Sequence, residues 1–459
     1  MRPAHILFIQ ADQFRADCLG AAGHPLVRTP HLDALAAGGA RFESAFCTSP
    51  VCVPTRNSLL YGCWPSRHGV VSNIGTEAHA EARPGLRAFS QVLADGGWQV
   101  AQVGKWGASR VVQPADLGFS HYRPLAEYDA WRAEAGLPPV PTAGGWWGEA
   151  DTGISAAQSA PAWGADRTIE LLTRAAADDQ PWFIRWDTNE PHLPCRPPEP
   201  FASLYDPAAV PPWPSFADGL AGKPYIQAQQ RRTWGLEGWS WAEWAPIVAR
   251  YLGLITHLDE QFGRVLAALD ELGLAANTLV VFSSDHGDTC GGHGMIDKHF
   301  IMYDDVWRVP LLARWPGQIA AGTVSQAFVT SPLDLAATFV EAAGLELPDT
   351  FQGHGLPALL AGAVERDAVY GTYAGSQFGL YSQRAVRERR YKYVWNPTAE
   401  DEFYDLEADP GELVNRATDP ALAGEVARLR AKLADWLRAT GDPLDNAWNQ
   451  TTLREGRKE

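Results

Sequence analysis

The chain has 459 residues, of which 46% are hydrophobic and 20% are charged, so it can bury a large core and is not intrinsically disordered. Its formal net charge of −16 argues against a general nucleic-acid or membrane-surface binder, because either would need a basic face. Any anionic substrate must therefore be held by a local cluster of cations or by a metal.

The first apolar run along the chain is His5–Gln10, which is too short for the core of a signal peptide. We interpret it as the first strand of the fold. No run approaches the ~18 apolar residues that a membrane helix needs, so we expect a cytoplasmic protein. The six cysteines form no CxxC pair and no dense framework, which is typical of reduced thiols, although a single disulfide is left open.

Short apolar runs then alternate with helical patterns. The predicted strands are His5–Gln10, Gln99–Val103, Trp182–Trp186, Thr278–Ser283 and Val309–Arg314. The clearest helical pattern runs from Tyr251 to Leu272, with apolar residues spaced alternately by four and three. This alternation predicts an α/β fold with a large, mainly parallel sheet between helices. Ligands bind such sheets at the carboxyl ends of the strands.

Two other segments differ in composition. Residues 138–244 are rich in Pro, Gly and Trp, and we expect mostly long loops laid over the sheet. Beyond about Val364, three short strands are predicted, followed by a helix with its apolar face at Leu422 to Trp436; these strands are Ala368–Tyr373, Ser382–Val386 and Tyr391–Trp395. We therefore predict a catalytic α/β domain over residues 1–364 and a smaller α+β subdomain over residues 365–459.

Polar residues follow the predicted strands where a buried strand would not otherwise place them. Asp12 follows the first strand, and Asp285 and His286 follow the strand that begins at Thr278. Unpaired carboxylates gathered at one edge are costly unless they bind a cation, and oxygen-rich ligation favours Ca²⁺, Mg²⁺ or Mn²⁺ over Zn²⁺. The alternative is that these aspartates cap the helices that follow them.

Cys52 is a candidate nucleophile. Pro54 suits the first turn of a helix, so Cys52 lies near the helix start, where backbone N–H groups favour an anion. Arg56 lies one turn later on the same face and would stabilise a thiolate. The alternative is a buried structural cysteine, which is common.

Three dispersed cations complete the set. Lys105 and His192 each follow a predicted strand, and Lys298 follows a glycine-rich segment. Each alone is more often a solvated surface group. Together, beside a metal, they would neutralise a doubly charged anion such as sulfate or phosphate.

The chain resembles the formylglycine-dependent sulfatases of the alkaline phosphatase superfamily, which also includes phosphonate monoester hydrolases. Cys52-Val53-Pro54-Thr55-Arg56 fits their C-x-P-x-R signature. Ser284-Asp285-His286-Gly287-Asp288 and Asp297-Lys298-His299 resemble their second metal segment and sulfate-binding lysine. The resemblance runs from His5 to about Trp436, and it implies an alkaline phosphatase-like fold.

The resemblance also implies a site. A maturation enzyme would oxidise Cys52 to Cα-formylglycine, and one divalent metal would be bound, with Ca²⁺ expected and Mn²⁺ or Mg²⁺ as alternatives. The implied metal ligands are Asp12, Gln13, Asp285 and His286, and the implied catalytic and substrate-binding residues are Cys52, Arg56, Asn73, Lys105, His192 and Lys298. Of these, Arg56 would fix the formylglycine, Asn73 would contact the anion, and His192 or Lys298 would protonate the leaving oxygen.

One position departs from the family pattern. Sulfatases usually continue Gly104-Lys105-Trp106 with a histidine, but this chain has Gly107, which can neither donate nor accept a proton. The leading hypothesis is a sulfatase that cleaves an aryl, alkyl or sugar sulfate. The alternatives are a phosphonate monoester or phosphodiester hydrolase with the same nucleophile, and a catalytically silent binder of sulfated ligands. A homo-oligomer is an open expectation.

Overall fold

The computed structural model of the protein describes residues 5–76, 79–375 and 380–456. The strands are β1 His5–Asp12, β2 Ala40–Phe42, β3 Ala45–Phe46, β4 Gln99–Gly104, β5 His121–Pro124, β6 Trp182–Pro191, β7 Thr278–Ser284, β8 Leu311–Arg314, β9 Thr323–Ser325, β10 Val329–Thr330, β11 Val369–Gly375, β12 Tyr381–Arg387, β13 Tyr391–Trp395 and β14 Glu402–Asp405. The helices are α1 Pro30–Ala37, α2 Cys52–Tyr61, α3 Pro65–His68, α4 Phe89–Asp95, α5 Ala126–Glu134, α6 Ala160–Ala176, α7 Tyr225–Thr233, α8 Trp241–Glu271, α9 Asp304–Trp307, α10 Ser331–Ala342, α11 Leu356–Leu360, α12 Ala423–Thr440 and α13 Ala447–Glu455.

An eight-stranded sheet forms the centre of the larger part of the molecule, in the order β5-β4-β6-β1-β7-β8-β2-β9. Strands β5, β4, β6, β1 and β7 are mutually parallel, whereas β8 runs antiparallel to both of its neighbours. This arrangement confirms the predicted mixed, mainly parallel α/β sheet. It places the carboxyl ends of β6, β1 and β7 side by side.

Strand β1 shows why the sheet is covered on both faces. Ile6 and Phe8 point to one apolar core, which also contains residues of α2, α4 and α10. Leu7 and Ile9 point to a second core, which contains residues of α1, α6 and α8. Because side chains alternate along a strand, an uninterrupted apolar run implies that both faces are buried. Helices on both sides hold the strand ends in fixed positions.

Two sequence-based expectations are refined by the structure. Most of the segment 138–244 lies outside helices and strands, as expected, but it also contains the 17-residue helix α6 and the shorter α7, which were not predicted. The Ser159 hydroxyl accepts a hydrogen bond from the backbone N–H of Ala162, and Pro161 occupies the first turn, so α6 has an ordinary N-terminal cap. The predicted strand at Val309–Arg314 begins only at Leu311.

The C-terminal part carries the predicted antiparallel sheet, with a fourth strand that was not predicted, in the order β11-β12-β13-β14. One face packs on α12, where Trp395 and Phe403 of the sheet share a core with Leu429 and Leu433. The position of the domain boundary at residue 364 stays a prediction.

All six cysteines are buried and free, as expected for reduced thiols. Among the described residues, no helix combines the length and the apolar character that crossing a bilayer requires.

Candidate active site

Three parallel strands bring their polar ends together. In the pairing of β1 with β6, Gln10 lies opposite Asp187, and β1 pairs with β7 up to Ala11 and Ser284. Asp12 and Asp285, the next residues along their strands, therefore reach the same edge of the sheet. Both carboxylates are fully buried.

Arg56 holds this cluster of acids together. Its Nε donates to Asp285 Oδ2 at 3.0 Å, its Nη1 to Asp187 Oδ1 at 2.8 Å and its Nη2 to Asp12 Oδ2 at 2.9 Å. All four side chains are completely buried. A guanidinium that donates to three carboxylates offsets part of their charge and fixes their positions.

Cys52 is the first residue of α2, and its thiol points into the acidic cluster rather than into the apolar core. Its Sγ lies 3.2 Å from His286 Nε2 and 3.8 Å from Asp12 Oδ1. Burial and Asp12 act to raise the pKa of this thiol, but Lys298, His286 and Lys105 outweigh them and hold the pKa well below its usual range. Residue 52 is therefore held in a strongly anion-stabilising environment.

The chemistry of the donor set fits a divalent cation. One ligand atom each from Asp12, Cys52, Asp285 and His286 lie within 4.8 Å of one another. His286 Nδ1 donates to the carbonyl oxygen of Gly287 at 2.8 Å, so Nε2 is the ring nitrogen directed at the cluster. Asp12 Oδ1 is likewise left to the cluster, because Oδ2 takes the bonds from Arg56 and Lys105.

The predicted cations lie at this edge. Lys105 Nζ is 2.6 Å from Asp12 Oδ2. Lys298 Nζ lies 2.6 Å from His192 Nε2 and donates to Gln13 Oε1 at 2.6 Å. The imidazole Nδ1 of His192 faces the carbonyl of Leu193 at 2.5 Å, which directs Nε2 towards the site. Lys105, His192 and Lys298 are therefore gathered beside the acidic cluster.

The side-chain amide of Gln13 is held in a fixed orientation by two further acids. Its Nε2 donates to Asp288 Oδ2 at 2.5 Å and to Asp297 Oδ1 at 3.0 Å. These two bonds turn Oε1 towards Lys298, and the second lone pair of that oxygen is free to bind a cation. Asn73, which follows α3 in the chain, lies beside the first turn of α2, and its Oδ1 accepts a hydrogen bond from the backbone N–H of Val53 at 3.2 Å.

Comparisons with known proteins agree with the chemistry of this site. A model of the sulfatase family matches residues 4–345, and a model of the C-terminal part of N-sulphoglucosamine sulphohydrolase matches residues 291–439. The chain belongs to the sulfatase family. This membership confirms the resemblance found in the sequence.

Several characterised proteins resemble this member of the sulfatase family over nearly all of its length. An arylsulfatase of Clostridium perfringens is 28% identical, with 90% of each chain covered. An N-acetylglucosamine-6-O-sulfatase of Bacteroides thetaiotaomicron is 26% identical over 90% of this chain and 82% of its own. The solved phosphonate monoester hydrolase of Agrobacterium radiobacter is 27% identical, has a TM-score of 0.81 and covers 96% of this chain and 95% of its own.

Sequence analysis missed one residue that touches the core of this sulfatase site. Asp187 follows the predicted strand Trp182–Trp186 and was assigned no role, although it bonds Arg56 directly. The signal was present, because Asp187 follows a buried strand at the same edge as Asp12 and Asp285. Gln102 Nε2 donates to its Oδ2 at 3.2 Å, and Arg185 Nη2 donates to its Oδ1 at 2.6 Å.

Gly107 is conformationally special in this sulfatase. Its φ of +58° lies in the left-handed region, and a Cβ there would come within 3.1 Å of Arg56 Cδ. A side chain at this position would press on the guanidinium that holds the acidic cluster. The absence of a side chain at Gly107 therefore leaves room for Arg56 in the position that it occupies.

Proposed function

We propose that this protein hydrolyses a sulfate monoester of an aryl, alkyl or sugar alcohol, with a formylglycine nucleophile made from Cys52 by a maturation enzyme and with one divalent cation. The observation that carries the proposal is the position of Cys52, whose Sγ faces Asp12 and His286 inside the C-x-P-x-R sequence of a family member. A structural cysteine would instead be surrounded by apolar groups.

Asp12, Gln13, Asp285 and His286 are the proposed metal ligands, with residue 52 completing the set. Their carboxylate and amide oxygens favour Ca²⁺, and Mn²⁺ or Mg²⁺ are the alternatives. A cation bound there would lower the pKa of a hydroxyl on residue 52 and offset the negative charge that develops on the substrate. Arg56 keeps the ligands in place by its bonds to Asp12 and Asp285.

The modification explains why a cysteine stands at this position. Formylglycine in its hydrated form supplies one hydroxyl that attacks sulfur and a second that allows sulfate to leave by C–O cleavage, which a thiol cannot do. At the start of α2, residue 52 also faces backbone N–H groups that favour negative charge.

Lys105, Lys298 and His192 bind the sulfate group and supply the proton to the leaving oxygen. Lys105, beside Asp12, and Lys298, beside Gln13, supply positive charge that is already in place before substrate arrives. His192 is paired with Lys298 through Nε2, so one of the two can donate a proton to the leaving oxygen while the other holds the charge.

Peptide mass analysis and kinetics test this proposal together. The full chain, co-expressed with a formylglycine-generating enzyme, should carry the aldehyde at residue 52 and hydrolyse 4-nitrophenyl sulfate. The Cys52→Ser variant has no thiol at residue 52 for that enzyme to oxidise. It should lose this activity while keeping its thermal stability. A wild-type protein that carries the aldehyde, binds metal and leaves sulfate esters intact would overturn the proposal.

Hydrolysis of phosphonate monoesters is the second candidate. The solved phosphonate monoester hydrolase of Agrobacterium radiobacter matches 96% of this chain, and Gly107 removes the histidine that is usual in sulfatases. Comparing kcat/KM for 4-nitrophenyl sulfate and for a phenyl phosphonate ester separates the two, because both reactions would use the same nucleophile. A preference for the phosphonate ester would favour this candidate.

A further inference from the structure

A cavity of about 170 Å³ opens directly beside the proposed sulfate site. His192 belongs to both, since it lines this cavity and contacts Lys298 through Nε2. Asn189 and Glu190, at the end of β6, line the same side, and α5 and the start of α6 close the other. The volume lies below the ~300–1,000 Å³ of pockets for drug-sized ligands, so it suits one sugar ring or a group of similar size.

One of the two arginines in this cavity is fully engaged with the protein. Arg132 Nη1 lies 2.7 Å from Asp151 Oδ2, and Nη2 lies 3.2 Å from Asp151 Oδ1. Its Nε donates to the carbonyl of Pro138 at 2.5 Å. Arg132 and Asp151 therefore form a neutral, buried pair that shapes the wall.

Arg196, the other arginine, is not engaged in this way. Its one hydrogen bond within the described part of the chain is a long one, from Nη2 to the carbonyl of Gly145 at 3.5 Å. Its Nε is buried and has no partner there, and no carboxylate of the described residues forms an ion pair with it. A half-buried guanidinium without a counter-charge at the wall of a cavity is suited to bind an anion.

The segment that carries Arg196 is rigidly placed. Prolines at 194, 197 and 198 flank it, and the carbonyl of Pro197 accepts a hydrogen bond from the backbone N–H of Asp151 at 3.0 Å. On its other side, a Cβ at Gly148 would come within 2.0 Å of the Cys195 carbonyl oxygen, so the two backbones pack closely. Arg196 is thus presented from a fixed backbone, which lowers the entropy lost on binding.

The acids of the cavity do not cancel this charge. Asp151 is neutralised by Arg132. Burial raises the pKa of Glu190 to about 7, so this carboxyl is largely protonated below neutral pH and can donate a hydrogen bond. Asp129 lies at the exposed rim. Positive charge is therefore available at the Arg196 wall, away from the sulfate site.

We propose that this cavity receives the leaving group of the substrate and that Arg196 binds a second anionic substituent on it, so that preferred substrates carry a carboxylate or a further sulfate besides the ester that is cleaved. This inference rests on the proposed sulfatase function. It narrows the substrate class from any sulfate ester to a sulfated sugar with two negative groups. Neutral aryl and alkyl sulfates would then be poor substrates that use the sulfate site alone.

The test compares kcat/KM of the matured, full-length enzyme on four substrates. They are 4-nitrophenyl sulfate, N-acetylglucosamine 6-sulfate, glucosamine 2-N,6-O-disulfate and a 2-O-sulfated hexuronate; the last two distinguish a sulfate from a carboxylate as the second anion. Wild type should prefer at least one of the doubly anionic sugars to both singly charged substrates. Arg196→Gln should lower kcat/KM on that sugar about tenfold, mainly through KM, because one charge-assisted contact is lost.

Controls separate binding from a structural effect. Arg196→Gln should leave kcat/KM on 4-nitrophenyl sulfate within about twofold, Arg196→Lys should restore part of the loss, and Arg264→Gln, at an exposed ion pair elsewhere, should change nothing. Equal losses on every substrate would overturn the inference. So would wild-type activity on 4-nitrophenyl sulfate without any preference for a second anion, and that result would leave the proposed sulfatase function intact. Absence of activity on all sulfate esters would overturn both.

Discussion

Arg56 and Asp187 form a fully buried ion pair, with Nη1 and Oδ1 2.8 Å apart, below the residues proposed to bind metal and substrate. Arg185 pairs with the same carboxylate, with Nε 2.5 Å from Oδ2. Asp187 therefore orients the guanidinium whose remaining nitrogens hold Asp12 and Asp285. The acidic cluster depends on a residue that would itself touch neither metal nor substrate.

Asp187→Asn tests this dependence. The amide keeps the shape but loses the charge and places an NH₂ group against a guanidinium, so two buried arginines lose their shared partner. Removing one member of a buried ion pair costs about 3–5 kcal/mol, and we expect a loss of unfolding free energy of about this size together with lower kcat/KM. Urea unfolding measures the first. Asp166→Asn, at an exposed ion pair with Arg264, should cost less than about 1 kcal/mol and leave activity unchanged.

Gly107→Ala should affect activity more than stability. The substitution places a Cβ 3.1 Å from Arg56 Cδ at a φ of +58°, so it strains the backbone and displaces the guanidinium. Gly441 is a matched control, since its φ is +61° and nothing lies within 4 Å of a Cβ there. Both variants should lose about 1–2 kcal/mol of stability, but Gly107→Ala alone should lower kcat on 4-nitrophenyl sulfate. Equal kcat values would mean that Arg56 tolerates the contact.

His192→Ala separates charge stabilisation from proton donation. A general acid contributes about 10²–10⁴-fold, and its loss matters most when the leaving oxygen is strongly basic. We therefore expect kcat for an alkyl or sugar sulfate to fall at least 100-fold, whereas 4-nitrophenyl sulfate should lose much less. The same pattern in Lys298→Ala, but not in His192→Ala, would assign the proton to the lysine. The dependence of kcat on the pKa of the leaving group, measured for both variants, shows which of the two residues donates the proton.

Much of the site could be predicted because it lies at strand ends. Asp12, Asp285 and His286 follow buried apolar runs, and parallel strands bring their carboxyl ends to one edge, so their convergence follows from the fold class. Cys52 was placed correctly at a helix start because Pro54 suits the first turn of a helix. Helix α2 begins at Cys52, with Pro54 in its first turn. Local sequence patterns were sufficient to place residues whose position is determined by a single strand or helix.

What could not be predicted depends on contacts between distant segments. The orientation of the Gln13 amide is set by Asp288 and Asp297, more than 270 positions away, and no local pattern encodes it. Helix α6 was missed because the Trp, Pro and Gly content of its surroundings outweighed the cap at Ser159. The Arg196 wall depends on which acids pair with which arginines, and only the folded chain determines those pairs.

Metal binding can be measured independently of turnover. His286→Ala removes the Nε2 lone pair that faces the cluster, so the affinity for Ca²⁺ or Mn²⁺ should fall at least about tenfold. Calorimetric titration of the metal-depleted protein measures this, and a chelator should abolish activity reversibly. His354→Ala, at an exposed histidine outside the cluster, is the control. Unchanged affinity in His286→Ala would exclude His286 as a ligand.

Acid should destabilise the fold through His68, which lies outside the proposed metal ligands. Burial, with a smaller effect of Arg83, lowers the pKa of His68 to about 3; its Nδ1 accepts a hydrogen bond from the backbone N–H of Val70 at 3.1 Å. The unfolded chain binds this proton near pH 6.5, so the stabilising contribution is complete above that pH and is lost progressively as the pH falls towards 3. Between pH 6.5 and 5 the loss is about 2 kcal/mol. Urea unfolding at both pH values should show a decline that is smaller by this amount in His68→Gln than in wild type, and parallel declines would contradict the buried neutral imidazole.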